Sequence, residues 1–125
     1  MPGEGVELGI EGVENMNIQI FGKPKCFDTK KAERWFKERR VKYQYVDLLK
    51  KGMSRGELQS VRNAVGLEAL IAKNAPGSEL LTYLAHDADK FEKLFEEPDK
   101  IQTPVVRNGK QATAGYCPEV WETWK

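Results

Sequence analysis

The residues that most metal and catalytic sites require are scarce in this chain. It has one histidine, His86, and two cysteines, Cys26 and Cys117, which stand near opposite ends of the 125 residues. Zinc frameworks need Cys and His clustered at short spacing, so we expect no structural metal site. A site that depends on histidine is equally unexpected, because His86 stands beside Asp87 and is expected to cap a surface helix.

Long apolar runs and an excess of one charge are also missing. No stretch approaches the roughly 18 apolar residues of a membrane-spanning helix. The 20 Lys and Arg nearly balance the 19 Asp and Glu, which gives a net charge of +1. A protein that binds nucleic acid or membranes by bulk charge carries a clear excess of basic residues. We therefore expect neither membrane association nor direct binding to nucleic acid.

The first 16 residues lack any Lys or Arg and carry four Glu among several Gly. A secretion signal begins with basic residues and continues with an apolar core, so this pattern is its opposite. We expect residues 1–16 to form a flexible acidic leader. Residues 17–125 are expected to form a single domain of a cytoplasmic protein whose thiols are reduced.

The residues that follow the leader show the pattern of a βαβ unit. Ile18–Phe21 is a short, mostly apolar run that is typical of a buried strand, and Tyr43–Asp47 alternates as a second strand. Between them, apolar residues recur on one face of a helix predicted over Thr29–Arg40. A crossover helix makes the two strands parallel and the connection right-handed.

The segment from about 54 to 98 is predicted to be helical. Ser54 and Glu57 form the pattern of a capping box at the start of a helix that ends at Gly66. Asp87 is expected to cap a further helix. A block of this length is too long for a simple connection, so it should form a small subdomain on one side of the sheet.

The pattern then returns to strands. Thr103–Arg107 and Gln111–Gly115 flank Asn108-Gly109, a strong hairpin signal, so these two strands should pair antiparallel. A last helix that begins at Pro118 is expected to point three apolar residues inward, Val120, Trp121 and Trp124. The predicted fold is α/β, with a four-stranded mixed sheet in the order βαβ, helical insert, ββα.

Cys26 is the strongest candidate for chemistry. It follows the loop of the first strand and precedes the first turn of a helix, where unpaired N–H groups and the helix dipole stabilise a thiolate. Residues 23–42 hold nine Lys or Arg against three acids, a field that favours the thiolate and attracts anions. The alternative is a small buried apolar residue beside a solvated basic helix face.

Pro104 is the second candidate. A proline that opens a strand before a tight hairpin suits a fixed turn, and the cis isomer fits such a turn, although most X-Pro bonds are trans. The sequence leaves the isomer open. In a βαβ–ββα sheet the loop before the third strand lies beside the N-terminus of the first helix, so Pro104 should face Cys26.

Four segments in this order carry a wider pattern: Phe21–Ala32 with Cys26, Tyr45–Leu49 with Ser54-x-x-Glu-Leu58, Ala69–Asn74, and Thr103–Val106. Together they resemble the ArsC/Spx family, which includes glutaredoxin-dependent arsenate reductases and Spx transcriptional regulators. The resemblance runs from about Ile18 to the end of the chain. It implies a thioredoxin-like four-stranded mixed sheet with an inserted helical subdomain over about 54–98.

The resemblance also implies roles for single residues. It makes Cys26 the redox cysteine of the family and Pro104 its cis-proline. Thr29 takes the position of a supporting Ser or of the second Cys in a C-x-x-C switch, and Lys30 takes that of a basic residue. Threonine can hydrogen-bond a thiolate but cannot resolve a disulfide, so an Spx-type switch is not expected.

Three arginines that hold the oxyanion in the arsenate reductases are replaced here. The corresponding positions are Ala72, Thr103 and Cys117. Small neutral side chains cannot replace the bidentate donors of arginine. The resemblance therefore places arsenate reduction third among the expected functions.

The same alignment brings Cys117 close to the predicted thiolate. One hypothesis is that Cys26 attacks a disulfide or sulfenate and Cys117 resolves the product as an internal disulfide. The alternative is that Cys117 is a partly buried bystander.

The favoured function is a thiol oxidoreductase of the ArsC type that uses one cysteine. Glutathione or a glutaredoxin-type protein would be its thiol partner, no cofactor would be bound, and the protein would be a monomer. The alternative is a non-catalytic, Spx-like regulator that binds a protein partner such as RNA polymerase.

Overall fold

The computed structural model describes residues 17–73 and 75–124. The predicted leader over 1–16, together with Asn74, lies outside these ranges. The strands are β1 (Ile18–Gly22), β2 (Tyr43–Asp47), β3 (Val105–Asn108) and β4 (Gln111–Ala114). The α-helices are α1 (Phe27–Glu38), α2 (Arg55–Val65), α3 (Glu79–Thr82), α4 (Asp87–Glu96) and α5 (Pro118–Trp121). Short 3-10 helices cover Glu68–Leu70, Pro98–Lys100 and Glu122–Trp124. None of the described helices is long and apolar enough to cross a membrane.

The four strands form one mixed sheet in the order β2-β1-β3-β4. The crossover through α1 makes β1 and β2 parallel, whereas β3 is antiparallel to both β1 and β4. In the register, Ile20 lies between Tyr45 of β2 and Val106 of β3. The predicted α/β, thioredoxin-like fold class is thereby confirmed.

Alternate residues of the central strands enter two separate cores, because successive side chains of a strand point to opposite faces. On one face, Ile20 and Val106 pack with the aromatic residues of α1 and α5. On the other face, Phe21 and Val105 pack with Leu58 and other apolar residues from the helical block. The helices between β2 and β3 therefore cover one side of the sheet, while α1 and α5 cover the other.

The capping box at the start of α2 is confirmed. The Glu57 N–H donates to the Ser54 hydroxyl across 3.1 Å, and the Ser54 N–H donates to the Glu57 carboxylate across 2.9 Å. At the other end, Gly66 has a φ of +89°, a conformation that favours glycine. Both ends of this helix are thus set by local sequence.

Two local predictions were wrong. Asp87 is the first residue of α4 rather than its cap, and its carboxylate lies 3.8 Å from Arg62. The N-cap position belongs to His86, the other residue expected to cap this helix. Val120 is 37% exposed, whereas Trp121 and Trp124 are buried. One helical turn followed by a 3-10 helix aligns residues three apart, so Val120 is turned away from the face that both tryptophans share.

The hairpin between β3 and β4 forms as predicted, with a small difference in its turn. Asn108 belongs to β3 and pairs with Gln111, so Gly109 and Lys110 form the two-residue loop. Gly109 has a φ of +62°, which a glycine adopts at little cost.

Candidate active site

Cys26 lies at the end of the connection between β1 and α1. Its N–H donates to the Lys23 carbonyl across 3.0 Å, which closes a turn after β1. Its φ of −82° and ψ of 117° make it the N-cap residue of α1. The side chain is a half-buried free thiol. Unpaired N–H groups of the first helical turn are therefore available to the sulfur.

The loop before β3 meets this thiol. The hydroxyl of Thr103 donates a hydrogen bond to Cys26 Sγ across 3.1 Å, and the carbonyl oxygen of Thr103 lies 3.7 Å from the same sulfur. The Thr103-Pro104 peptide bond is cis, which answers the question that the sequence left open. The loop therefore lies beside Cys26 as expected, and Thr103 supplies the side chain that contacts the sulfur.

Opposing effects act on the Cys26 thiol. Burial raises its pKa, but hydrogen bonds from the hydroxyls of Thr103 and Thr29 and from the backbone N–H groups of Thr29 and Asp28 lower it. The net result is a pKa below the ordinary value of a cysteine thiol. Hydrogen bonds to the charged form favour that form, so the site stabilises a thiolate.

Thr29 lies against the end of β1. Its side chain is buried, and its hydroxyl has no close hydrogen-bond partner among the described residues apart from the weaker interaction with the Cys26 sulfur. A Cβ atom added at Gly22 would lie 2.8 Å from the Thr29 hydroxyl oxygen. The missing side chain at Gly22 is what allows Thr29 to pack beneath the sulfur.

An open cleft of about 510 Å³ surrounds the thiol. It is lined by Lys23, Pro24, Lys25, Cys26, Leu49, Ala72, Ala75 and Thr103. Two of the three positions assigned to oxyanion arginines, Ala72 and Thr103, therefore do lie at the thiol, and both carry small side chains. Lys23 and Lys25 bring positive charge to the cleft. Lys30 is exposed on the first turn of α1, outside the residues that line it.

Sequence reasoning missed the part played by Lys23, which it counted only within the basic segment. Its ammonium donates hydrogen bonds to the carbonyls of Asp99 and Ile101, at 2.7 and 3.0 Å. Burial lowers the pKa of Lys23, while the negative charges of Cys26 and Asp99 act in the opposite direction. The proximity of Lys23 to Cys26 in the chain was the available signal, but its two carbonyl partners are distant in sequence.

Cys117 occupies different surroundings. It is the N-cap residue of α5, packs against the aromatic core and donates to the Ala114 carbonyl across 3.5 Å. Burial raises the pKa of Cys117, the charge of Glu119 raises it further, and a hydrogen bond with Thr113 opposes both. Cys117 is outside the residues that line the cleft. The two thiols thus have pKa values shifted in opposite directions.

The remaining candidate groups contribute no metal site. Within residues 17–73 and 75–124, no group of three or more His, Cys, Asp or Glu side chains is arranged to hold a metal ion. His86 is exposed at the start of α4. The described cleft presents a thiol, a hydroxyl, ammonium groups and backbone N–H groups.

Comparisons with known proteins agree with this geometry. The glutaredoxin family model matches residues 18–66, a range that contains β1, α1 and β2 with Cys26 and Thr29. The global transcriptional regulator Spx 2 of Oceanobacillus iheyensis is 25% identical over 109 residues, which cover 81% of this chain and 78% of the regulator. The uncharacterized protein YusI of Bacillus subtilis is 23% identical over 115 residues, which cover 86% of this chain and 97% of YusI.

A solved structure extends the comparison to three dimensions. Arsenate reductase from Vibrio cholerae superposes with a TM-score of 0.77 at 22% identity, over 88% of this chain and 98% of the other. At that identity the match establishes a shared fold.

Proposed function

Because the chain belongs to the ArsC/Spx family of thioredoxin-fold proteins, we propose that it is a thiol oxidoreductase that works with one cysteine. Cys26 exchanges thiols with glutathione or with a glutaredoxin-type protein. The observation that carries this proposal is the hydrogen bond from Thr103 to the Cys26 sulfur, made at a helix N-terminus. A cytoplasmic location, where thiols are kept reduced, fits this reaction.

The exchange has two steps. The Cys26 thiolate attacks one sulfur of a substrate disulfide, forms a mixed disulfide and releases the other sulfur as a thiolate. A second thiolate, from glutathione or a glutaredoxin-type protein, then attacks the substrate sulfur of that mixed disulfide and releases Cys26 as a thiolate. One substrate sulfur leaves as a thiolate and the other ends in a disulfide with the second thiol. One disulfide bond is broken and one is formed, so the electrons balance.

The residues of the site act on the same thiolate in both steps. Thr29, Thr103 and the first N–H groups of α1 stabilise Cys26 when it attacks and again when it leaves. Pro104 presents backbone groups to an extended substrate. Lys30, on the exposed side of the first turn, attracts anionic thiols from solvent.

This scheme gives Cys117 no step, and the fate of oxidised protein tests it. After mild treatment with oxidised glutathione, we expect peptide mass spectrometry to find glutathione on Cys26 and a free thiol at Cys117. A protein two mass units lighter, with linked Cys26 and Cys117 peptides, would instead establish Cys117 as the resolving cysteine.

The decisive experiment for the proposed function is the pH dependence of Cys26 alkylation. In a Cys117→Ala protein Cys26 is the single thiol that can be alkylated. A neutral reagent such as iodoacetamide is not attracted or repelled by charges near the thiol. We expect a midpoint below the unperturbed value of about 8.5 for a cysteine. The Cys26→Ser protein provides the blank. A midpoint at or above the unperturbed value would contradict the proposal.

The match to Spx 2 favours a second candidate, a regulator that binds a protein partner such as RNA polymerase. Binding of purified RNA polymerase to the wild-type and Cys26→Ser proteins distinguishes the two. A regulator without thiol chemistry would bind equally well in both forms and would have an ordinary Cys26 midpoint. The oxidoreductase is expected to lack such binding and to have a low midpoint.

Arsenate reduction has weaker support. Ala72 and Thr103 line the cleft where the resemblance expects arginines, and the structure replaces their bidentate donors with a methyl group and a hydroxyl. We expect arsenate to leave the reaction of Cys26 with iodoacetamide unchanged. If arsenate slows the alkylation of Cys26 by iodoacetamide, arsenate reduction regains support as a function.

A further inference from the structure

Two loops meet at the Cys26 sulfur, and Lys23 contacts both of them. Its backbone carbonyl accepts the Cys26 N–H across 3.0 Å, within the loop between β1 and α1. Its ammonium donates to the carbonyls of Asp99 and Ile101, in the loop that leads to β3. One residue therefore joins the loop that carries the thiol to the loop that carries its hydroxyl donor.

Hydrogen bonds to the helical block and to Lys23 hold the loop that leads to β3. Ile101 stands two residues before Thr103, whose hydroxyl donates to the sulfur. The backbone on either side of Ile101 is bound to the helical block, through Ala72 N–H to the Lys100 carbonyl at 2.8 Å and Gln102 N–H to the Leu70 carbonyl at 2.7 Å. The ammonium of Lys23 adds two hydrogen bonds between this loop and the cysteine side of the cleft, beside the contact from Thr103 itself.

We propose that Lys23 is a positioning residue that holds the Thr103 hydroxyl against the Cys26 sulfur. This inference rests on the proposed function, because it concerns the thiol that the exchange uses. An ammonium bound to two carbonyls makes charge-assisted hydrogen bonds, which are stronger than neutral ones. Hydrogen bonds weaken steeply as their geometry is lost. A small movement of the loop away from Cys26 is therefore enough to break the hydrogen bond from Thr103 to the sulfur.

A simple charge effect is the competing explanation. Lys23 and Lys25 line the cleft before α1, and the Asp28 carboxylate lies in the first turn of α1, 3.9 Å from Lys31. Before β3, the charge of Asp99 acts on Lys23, and on β2 the charge of Cys26 raises the pKa of Tyr45. Lys25 lines the same cleft, and within residues 17–73 and 75–124 its ammonium has no hydrogen bond to a backbone carbonyl like those of Lys23. A pure charge effect would therefore shift the midpoint when either lysine is replaced, whereas a positioning effect would shift it when Lys23 is replaced.

The test measures the alkylation midpoint of Cys26 with iodoacetamide in the Cys117→Ala protein. Lys23→Met removes the ammonium and keeps most of the side-chain volume. We expect its midpoint to rise by about one pH unit, which lowers the rate about tenfold at a pH below the midpoint. Lys25→Met is the matched charge control and should shift less than half as far. Lys37→Met, on the exposed last turn of α1, should leave the midpoint unchanged.

A double-mutant cycle with Thr103→Val separates positioning from charge. If Lys23 acts through Thr103, Lys23→Met in the Thr103→Val background shifts the midpoint no further than the charge control Lys25→Met does. Equal shifts in both backgrounds would overturn the inference. Lys23→Arg, which keeps charge and donors, should restore most of the wild-type midpoint, and failure of this rescue would also count against it.

Folding and the proposed function are controlled separately. Circular dichroism and urea unfolding establish that each variant is folded. If Lys23→Met does not fold, Lys23→Gln replaces it. Its midpoint should rise less, because glutamine keeps one amide donor group. A low wild-type midpoint that Lys23→Met leaves unchanged overturns this inference alone. An ordinary wild-type midpoint overturns the proposed function and this inference together.

Discussion

The hydroxyl of Thr103 donates to the sulfur of Cys26 across 3.1 Å, although the two residues are 77 positions apart in the chain. The contact exists because β1 pairs antiparallel with β3, with Phe21 opposite Val105, so that the loop after one strand lies beside the loop before the other. The state of the thiol is therefore governed by a tertiary contact. That contact is lost when the protein unfolds, which connects the reactivity of Cys26 to the stability of the fold.

Replacing Thr103 should reduce the reactivity of Cys26 at neutral pH. Thr103→Val keeps the shape of the side chain and removes its donor. A hydrogen bond to a charged group contributes about 1.5–3 kcal/mol, which corresponds to a rise of about 1–2 units in the pKa of the thiol. The alkylation midpoint in the Cys117→Ala protein measures this rise.

Thr103→Ser is the matched control, because it keeps the hydroxyl and removes only a methyl group. Its midpoint should remain close to that of the wild type. An equal midpoint in Thr103→Val would mean that the Thr103 hydroxyl does not stabilise the thiolate.

The lowered pKa of Cys26 also predicts how stability depends on pH. The folded protein binds this proton less tightly than the unfolded chain, so the thiolate adds stability at high pH and that stability is lost as pH falls through the folded pKa. The difference in free energy of unfolding between wild type and Cys26→Ser should therefore grow in favour of wild type as pH rises from the folded pKa of Cys26 to its unfolded value of about 8.5. Urea titrations at several pH values measure it, and a difference that is constant with pH would refute the prediction.

Gly22 should be intolerant of any side chain, because Thr29 packs against it. A Cβ atom at position 22 would lie 2.8 Å from the Thr29 hydroxyl oxygen and 3.1 Å from Thr29 Cβ. Such overpacking typically costs about 1–3 kcal/mol. We expect Gly22→Ala to lower the free energy of unfolding by that amount and to raise the pKa of Cys26, because Thr29 is displaced from the sulfur.

A second substitution tests this cause. Thr29→Ala removes the methyl and hydroxyl groups, which collide most closely, and keeps the Cβ at 3.1 Å. Gly22→Ala should therefore cost much less in the Thr29→Ala background, as urea unfolding measures. If the cost is the same in both backgrounds, the collision with Thr29 is not its origin.

Local sequence predicted the elements of this fold because their determinants are local. The capping box of Ser54 and Glu57, the hairpin at Gly109 and the position of Cys26 before α1 each depend on residues a few positions apart. The short apolar run Ile18–Phe21 also predicted the buried strand β1. The errors at Asp87 and Val120 concern helix ends, where one position changes which side chain faces inward.

The contacts that define the site could be predicted only in part. Cys26, Thr29 and Pro104 were recognised, since their spacing follows a family pattern. Thr103 was noted as an arginine position, but its hydrogen bond to the sulfur depends on the pairing of β1 with β3. Lys23 binds carbonyls 76 and 78 positions away. Such contacts follow from tertiary packing, and no local pattern in the sequence encodes them.

The aromatic core on the other face of the sheet contains a polar contact whose removal should be costly. Trp121 is fully buried, and its indole N–H donates to the hydroxyl of Thr113 across 2.8 Å. Thr113→Val leaves that donor buried and unpaired, which costs about 1–3 kcal/mol. Urea unfolding should report this loss, while the alkylation midpoint of Cys26 stays within error of the wild type, because the contact lies outside the cleft.

The matching double mutant separates the unpaired donor from the lost volume. Trp121→Phe alone removes ring volume from the core and leaves the Thr113 hydroxyl without its donor. In the double variant with Thr113→Val neither partner is polar, so no buried group lacks a hydrogen bond. Its loss in free energy of unfolding should be smaller than the sum of the two single losses, by about 1 kcal/mol or more. Additive losses would show that the hydrogen bond contributes nothing beyond packing.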